Sequence, residues 1–438
     1  METDRLLPPL LNQGQALARK LLQLALLGLA VGAACWPLNL IDGLQSQWLG
    51  LLPAFSGQGW TTAGLLLAAS PLLVLPLLLW LQADRWHNGA GSGIPQTMAS
   101  LENAAEAHGL MAPGPTLQRL ALWSAATLAL MPLGREGPVV HVGAAVAHGL
   151  RRRWPALLKD LQPPDLIALG AGAGLAGGFN TPLMGVVFMA EELTHSFQLQ
   201  LIWPALLVCS SAAALSHLGG EPMFGLGLLG GPAFESDQLA WAVPVGLLGG
   251  LLGGSFSRLL LLVSARLLPH LRRRPLRLGL GLGGLLAALA LVSGGSSGGD
   301  GERLMSQLIE ATGVPFTPLG GLGVLLARLV GPVLALGAGI PGGLIDPAFS
   351  LGAVFGVGLL QLFGADAHLG LALGMAAGLA GATQLPVMTI VFAMRLAGDQ
   401  QLLPGLLLAA ALAAYASRLV LDRPIYHALA ELQRAPRR

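Results

Sequence analysis

Long apolar runs alternate along this chain with short breaks made of glycine, proline and isolated polar residues. Uninterrupted runs at about 22–41, 60–82, 199–218, 241–267 and 403–421 each come near the ~20 residues a bilayer crossing needs, and predict full-length spans. Between them, segments 139–150, 165–178, 182–191, 344–363 and 386–395 are mostly shorter or begin at glycine and proline. They predict half-helices that start or stop inside the membrane, so that about 15–18 helices of very uneven length replace a regular bundle. Residues 1–21 are polar and proline-bearing, and read as a cytoplasmic amphipathic lead-in, not a cleavable signal peptide.

The pattern occurs twice. Setting Pro182 on Pro386 aligns PLMGVVFMA with PVMTIVFAM, and setting Pro138 on Pro347 aligns PVVHVGAAV with PAFSLGAVF, at offsets of 204 and 209 residues. Two segments in one order at nearly one offset predict a duplicated half-protein. The repeats fall at about 22–218 and 239–432, inside a membrane domain of 22–438; the alignment leaves parallel and inverted arrangements open. The stretch 294–301, GGSSGGDG, reads as a flexible loop within the second repeat.

Composition excludes a soluble protein. Of 438 residues 54% are hydrophobic and only 11% charged, with a mean hydropathy of +0.68, against roughly 25% charged in an ordinary soluble domain. The net charge of +2 says less than its distribution. Arginines 151–153 with Lys159, arginines 272–274 with Arg277, and Arg434, Arg437 and Arg438 form basic clusters. By the positive-inside rule these loops and both termini face the cytoplasm, and the clusters set topology instead of binding nucleic acid. The two cysteines and nine histidines are scattered, with no metal-ligand spacing and no paired carboxylates of a hydrolase. No enzyme activity, metal or cofactor is expected.

The chemistry concentrates in three breaks: GSGIP (91–95), GREGP (134–138) and GIPGGLIDP (339–347). Glycines let backbone come close to a ligand, and a proline fits the first turn of a following helix, whose free N–H groups then face the break. That is an anion site built from backbone. Glu136 is the only carboxylate in GREGP, and its ionised form could occupy the anion position itself. The plainer alternative is a capping carboxylate paired with Arg135. Ser92 and Tyr426 offer hydroxyl donors, which hold an anion without cancelling its charge.

These strings, with FNTP (179–182) followed by Glu191-Glu192 and the C-terminal Tyr426, resemble the signature segments of the CLC family of chloride channels and chloride/proton antiporters, over about residues 22–432. The resemblance implies an all-α membrane fold, an inverted repeat of about eighteen helices whose half-helices meet at a midplane anion site. It implies a homodimer with one pore per subunit, in a bacterial inner membrane. Carried over residue by residue, Ser92, Tyr426 and the amides of Leu344 and Ile345 match the chloride ligands. Glu136 matches the external gate and outer proton carrier, and Glu192 the internal glutamate that passes protons in exchangers. The implied function is chloride/proton antiport; a passive channel of the family, or a transporter of another inverted-repeat fold, are the alternatives. Serine at 92 points to chloride over nitrate and away from the fluoride-exporting branch. Four positions depart from the family pattern: Ile345, where the family has phenylalanine, Asp346, His141 and Arg395. An acid at 346 repels an anion unless it points away, is protonated, or pairs with a cation such as Arg395.

Overall fold

The computed structural model describes residues 7–217, 237–310, 318–398 and 400–434; the first six residues of the lead-in, and Arg437 and Arg438, lie outside them. Among the described residues the chain is helical throughout, with one isolated backbone bridge in place of a sheet. The first half runs through α1 (Leu7–Leu49), α2 (Pro53–Ser56), α3 (Thr62–Ala83), α4 (Ile94–Glu102) and α5 (Ala104–Leu110). It continues through α6 (Pro113–Leu128), α7 (Glu136–Arg153), α8 (Pro163–Phe179), α9 (Pro182–Phe188) and α10 (Leu199–His217). The second half holds α11 (Gln238–Arg273), α12 (Pro275–Val292), α13 (Glu302–Glu310), α14 (Pro318–Gly337) and α15 (Ile345–Leu362). It closes with α16 (Ala367–Thr383), α17 (Pro386–Ala397), α18 (Leu403–Ser417) and α19 (Ile425–Arg434).

Eight of these are long and apolar enough to cross a membrane. Five overlap the spans expected from sequence; α12, the residues 320–337 of α14, and α15 are the others, and α15 has the length to cross where the sequence predicts a half-helix at 344–363. Residues 7–21 are continuous with the first span inside α1. Shorter helices start where a proline meets an extended or bent residue: Thr181 before Pro182 and Leu385 before Pro386 both leave the helical region of φ/ψ.

The repeat is visible in the packing. α7 lies on α8 and α15 on α16, each pair brought to backbone contact by glycines. A methyl group on Gly143 would strike Gly170 and Gly174, and one on its repeat-mate Gly352 would strike Gly374 and Gly378. Small residues at such contacts let membrane helices approach closely where burial of apolar surface from water supplies no drive. α8 and α16 then end alike, on left-handed residues Asn180 (φ 48°) and Gln384 (φ 60°).

The glycine-serine stretch 294–301 is not the flexible loop its composition suggests. Residues 295–301 are buried. Gly299 donates to the Leu130 carbonyl at 3.1 Å, and Arg328 donates to the carbonyls of Gly299 (2.9 Å) and Gly298 (3.0 Å). An arginine inside α14 satisfies carbonyls that an irregular segment would otherwise strand in apolar surroundings.

Candidate anion-binding site

The three glycine-rich breaks meet. Gly134 and Gly343 exchange backbone hydrogen bonds, Gly134 N to Gly343 O at 3.0 Å and Gly343 N to Gly134 O at 2.9 Å. The first break joins them through Gly91 N, which donates to Gly339 O at 2.9 Å. Side chains brace the junction: Trp123 Nε1 donates to Gly134 O (3.1 Å) and Gln82 Nε2 to Gly339 O (2.9 Å). Gly134 and Gly343 are repeat-mates at the 209-residue offset, so the bridge is a reciprocal contact between equivalent residues running in opposite directions.

From this junction α7 and α15 lead away, each presenting a first turn whose amides have no acceptor within the helix. Glu136, the first residue of α7, turns its carboxylate onto the other helix: Oε1 accepts from the Asp346 amide at 2.5 Å. Glu136 is fully buried. The glycines are required here, because a Cβ on Gly343 or on Gly134 would overlap the Glu136 carboxylate. One carboxylate oxygen thus sits where an anion would sit, on a helix N-terminus with its partial positive charge.

Arg135 does not pair with Glu136. Its guanidinium binds Asp42 of α1 at 2.5 Å and stacks on Phe179, 4.5 Å from the ring centroid. Both members of this ion pair are buried, which leaves Glu136 to the Asp346 amide.

Ser92 lies against the same helix start: a Cβ on Gly137 would meet its carbonyl and its Oγ. Tyr426, fully buried on α19, packs through that helix on α4 and lies within electrostatic range of Glu136, Asp346 and Glu192. The Ser92 and Tyr426 hydroxyls and Glu136 Oε2 are buried and bond to no group among the described residues. Buried hydroxyls without protein partners fit a site that offers donors to a ligand. Leu344 and Ile345, the cap and first residue of α15, are buried at the same junction.

Asp346 and Arg395 do not pair. Arg395 is exposed on the last turn of α17, while Asp346 is buried with neither carboxyl oxygen bonded to a donor among the described residues. His141 braces the fold. Its Nε2 meets Arg119 at 2.7 Å, and Arg119 also binds the carbonyls of Asn88, Ala90 and Gly91, just before Ser92. Since arginine only donates, Nε2 is the accepting nitrogen and the ring proton sits on Nδ1.

Glu192 also lies within electrostatic range of Tyr426. α9 widens into a π-helical turn, Met189–Leu193, that separates the two adjacent acids. Glu191 turns outward to cap α17, accepting from the amides of Val387 (3.1 Å) and Met388 (2.7 Å), so it is not the hydrated surface residue its position suggests. Glu192 turns inward and keeps 1% of its surface exposed, with His427 Nδ1 3.5 Å from Oε1.

The family model described as voltage gated chloride channel matches residues 75–418. The chain belongs to this family. The ClC-type chloride channel ClcB of Salmonella typhimurium is 29% identical over 307 residues, spanning 67% of this chain and 70% of that protein. ClcB of Escherichia coli O81 is 29% identical over 310 residues, with the same coverage. Among solved structures, a slow cyanobacterial Cl-/H+ antiporter matches with a TM-score of 0.76 and 22% identity over 96% of this chain and 99% of its own. A eukaryotic CLC transporter matches with a TM-score of 0.78 and 21% identity, covering 95% and 74%. A CLC-type fluoride/proton antiporter matches with a TM-score of 0.72 and 26% identity, covering 92% and 96%. The fold is the CLC fold, and the protein is a multi-pass membrane protein of that family.

Sequence reasoning missed the residues that hold the breaks in place: Asp42, Gln82, Arg119, Trp123 and Arg328. Arg119 and Arg328 left a signal, each a lone charge within an apolar run (PTLQRLALW and VLLARLVGP). A charge in such a run needs an internal partner.

Proposed function

We propose that this protein exchanges chloride for protons across a membrane, with Glu136 as the gate and outer proton carrier. The observation that supports it is the Glu136 carboxylate on the Asp346 amide: an ionised side chain fills the anion position, and protonation weakens its hold and frees the amide for chloride. Ser92, Tyr426 and the amides of Leu344 and Ile345 supply the remaining donors, and Glu192 receives protons at the inner side. Two solved relatives of the same fold are proton-coupled antiporters, which favours exchange over passive conduction. The same reading places the protein as a homodimer with one pore per subunit in a bacterial inner membrane, both termini cytoplasmic.

Simultaneous chloride and pH recording from purified protein in liposomes tests it. A chloride gradient should drive protons uphill in the wild type, and Glu136→Gln should pass chloride with no coupled proton movement. Wild-type protein that moves chloride and no protons is a channel; a Glu136→Gln variant that still pumps protons removes Glu136 from the gate.

A further inference from the structure

Glu192 has to exchange protons with water, yet 1% of its surface is exposed. The polar groups the structure places beside it are histidines from two separate segments. His427 directly follows Tyr426 in α19, and its Nδ1 lies 3.5 Å from Glu192 Oε1 with 36% of the side chain exposed. His195 lies just beyond the π-helical turn that carries Glu192. Its ring stands 5.4 Å from that of His427, tilted by 31°. His195 is exposed, and its Nδ1 meets the Glu191 carbonyl at 3.0 Å. Exposure therefore falls stepwise from His195 through His427 to Glu192, and Glu192 Oε1 and His427 Nδ1, both buried and without a hydrogen-bond partner among the described residues, face each other at 3.5 Å.

We propose that His427, with His195 as its outer neighbour, shuttles protons between water and Glu192; the proposal rests on the reading of Glu192 as the inner proton acceptor. The His427 imidazolium releases its Nδ1 proton to a Glu192 carboxylate oxygen, giving a neutral imidazole and a neutral carboxylic acid. The lone pair left on Nδ1 faces Glu192, so the ring turns about its Cβ–Cγ bond, takes up a proton on Nδ1 from water, and swings back as imidazolium. In the reverse direction the carboxylic acid returns the proton to the neutral ring. No other reactant is consumed.

The surroundings suit this task. Glu192 holds the His427 pKa above its ordinary value, and the more distant carboxylates Glu102 and Glu431 add to the shift. Glu431 is itself paired with Arg423 at 2.7 Å, which limits its pull. The ring thus keeps its proton to a higher pH than a free imidazole does, beside the acid it would serve. Because His427 adjoins Tyr426, the shuttle and the candidate anion ligand sit on one helical turn.

The test is the ratio of proton to chloride flux in liposomes for wild type, His427→Gln, His427→Ala, His195→Ala and Glu192→Gln, with gel filtration as the folding control. Both His427 variants should lower the ratio about tenfold, His195→Ala should lower it less, and added imidazole should restore His427→Ala. Restoration by a diffusible base separates proton transfer from a packing role. A His427→Ala protein that keeps the wild-type ratio at all pH values, or a lowered ratio that imidazole does not raise, overturns the shuttle. If Glu192→Gln abolishes coupling while both His427 variants keep it, the shuttle alone fails. Should Glu192→Gln keep full coupling, the reading of Glu192 fails and the shuttle falls with it.

Discussion

α7 and α15 are the same device built twice. Each has 18 residues, each carries proline at its third position, and their cap residues share one backbone conformation: φ −101°, ψ −6° at Arg135 and φ −105°, ψ −6° at Leu344. The side chains on this common frame differ at three consecutive positions. Where the first half has Arg135, Glu136 and Gly137, the second has Leu344, Ile345 and Asp346. The first half therefore supplies the carboxylate and a buried ion pair, and the second supplies the amide that meets it. Duplication repeats the backbone geometry of a helix start; the side chains on it give one repeat the carboxylate and leave the other its free amide.

The largest way to break this asymmetry is Glu136→Gln, which should abolish proton coupling outright, as measured in the liposome assay. Next is Asp42→Asn. It strips Arg135 of its buried partner, and breaking one side of a buried pair costs about 3–5 kcal/mol. The apolar Leu344 needs no such support, so no equivalent charge loss exists in the second half. Detergent thermal unfolding should show Asp42→Asn as the most destabilised of these variants; a midpoint equal to wild type would mean the pair contributes nothing.

A smaller effect is expected from Gly137→Ala. Its methyl group would press on the Ser92 carbonyl, and overpacking of this kind costs about 1–3 kcal/mol. Weaker chloride binding by calorimetry, with the protein still folded, is the expected signature, and unchanged affinity would place Ser92 outside the site. Glu191→Gln comes lower still, at about 1 kcal/mol for a lost helix cap, and it should leave coupling intact while Glu192→Gln does not.

The pH dependence gives the smallest signal. The pKa of His427 is raised by Glu192 in the folded protein, so the pair's contribution to stability is complete below the unfolded value of about 6.5 and disappears as pH rises through the elevated folded one. Solvent screening holds it under about 1 kcal/mol. The unfolding midpoints of wild type and His427→Gln should converge as the pH is raised, and a gap that widens would reverse the assignment.

Much of this was legible in the sequence because membrane burial forces it to be. Glycine and proline inside apolar runs marked the half-helices, since a bilayer tolerates such breaks only where protein covers them. The repeat offset already paired Gly134 with Gly343, although not the bond between them. Partnerships between distant charges were not legible. Arg135 stands next to Glu136 in sequence, and adjacency suggested a pair, but at a helix start consecutive side chains diverge, and α1 offered Asp42 instead. Only the family resemblance told the acids 191 and 192 apart; the π-helical turn that sets one toward α17 and the other inward left no mark in the sequence. Residues 294–301 misled for a related reason: a glycine-serine composition describes an exposed linker well, but it also lets backbone fold into the interior once an arginine such as Arg328 caps its carbonyls.

The bond from the Asp346 amide to Glu136 spans 210 residues of chain. During synthesis the first half leaves the ribosome with its carboxylate and its glycine break in place, yet the amide that receives Glu136 does not exist until most of the second half has been made. Contacts of such long separation form late. A nascent chain therefore carries an uncapped acidic helix start through most of its insertion, and the contact between the two repeats closes only when the last third of the protein arrives. Truncation anywhere before residue 346 leaves Glu136 without the amide that it binds, so this junction is one of the last things the folding of the protein produces.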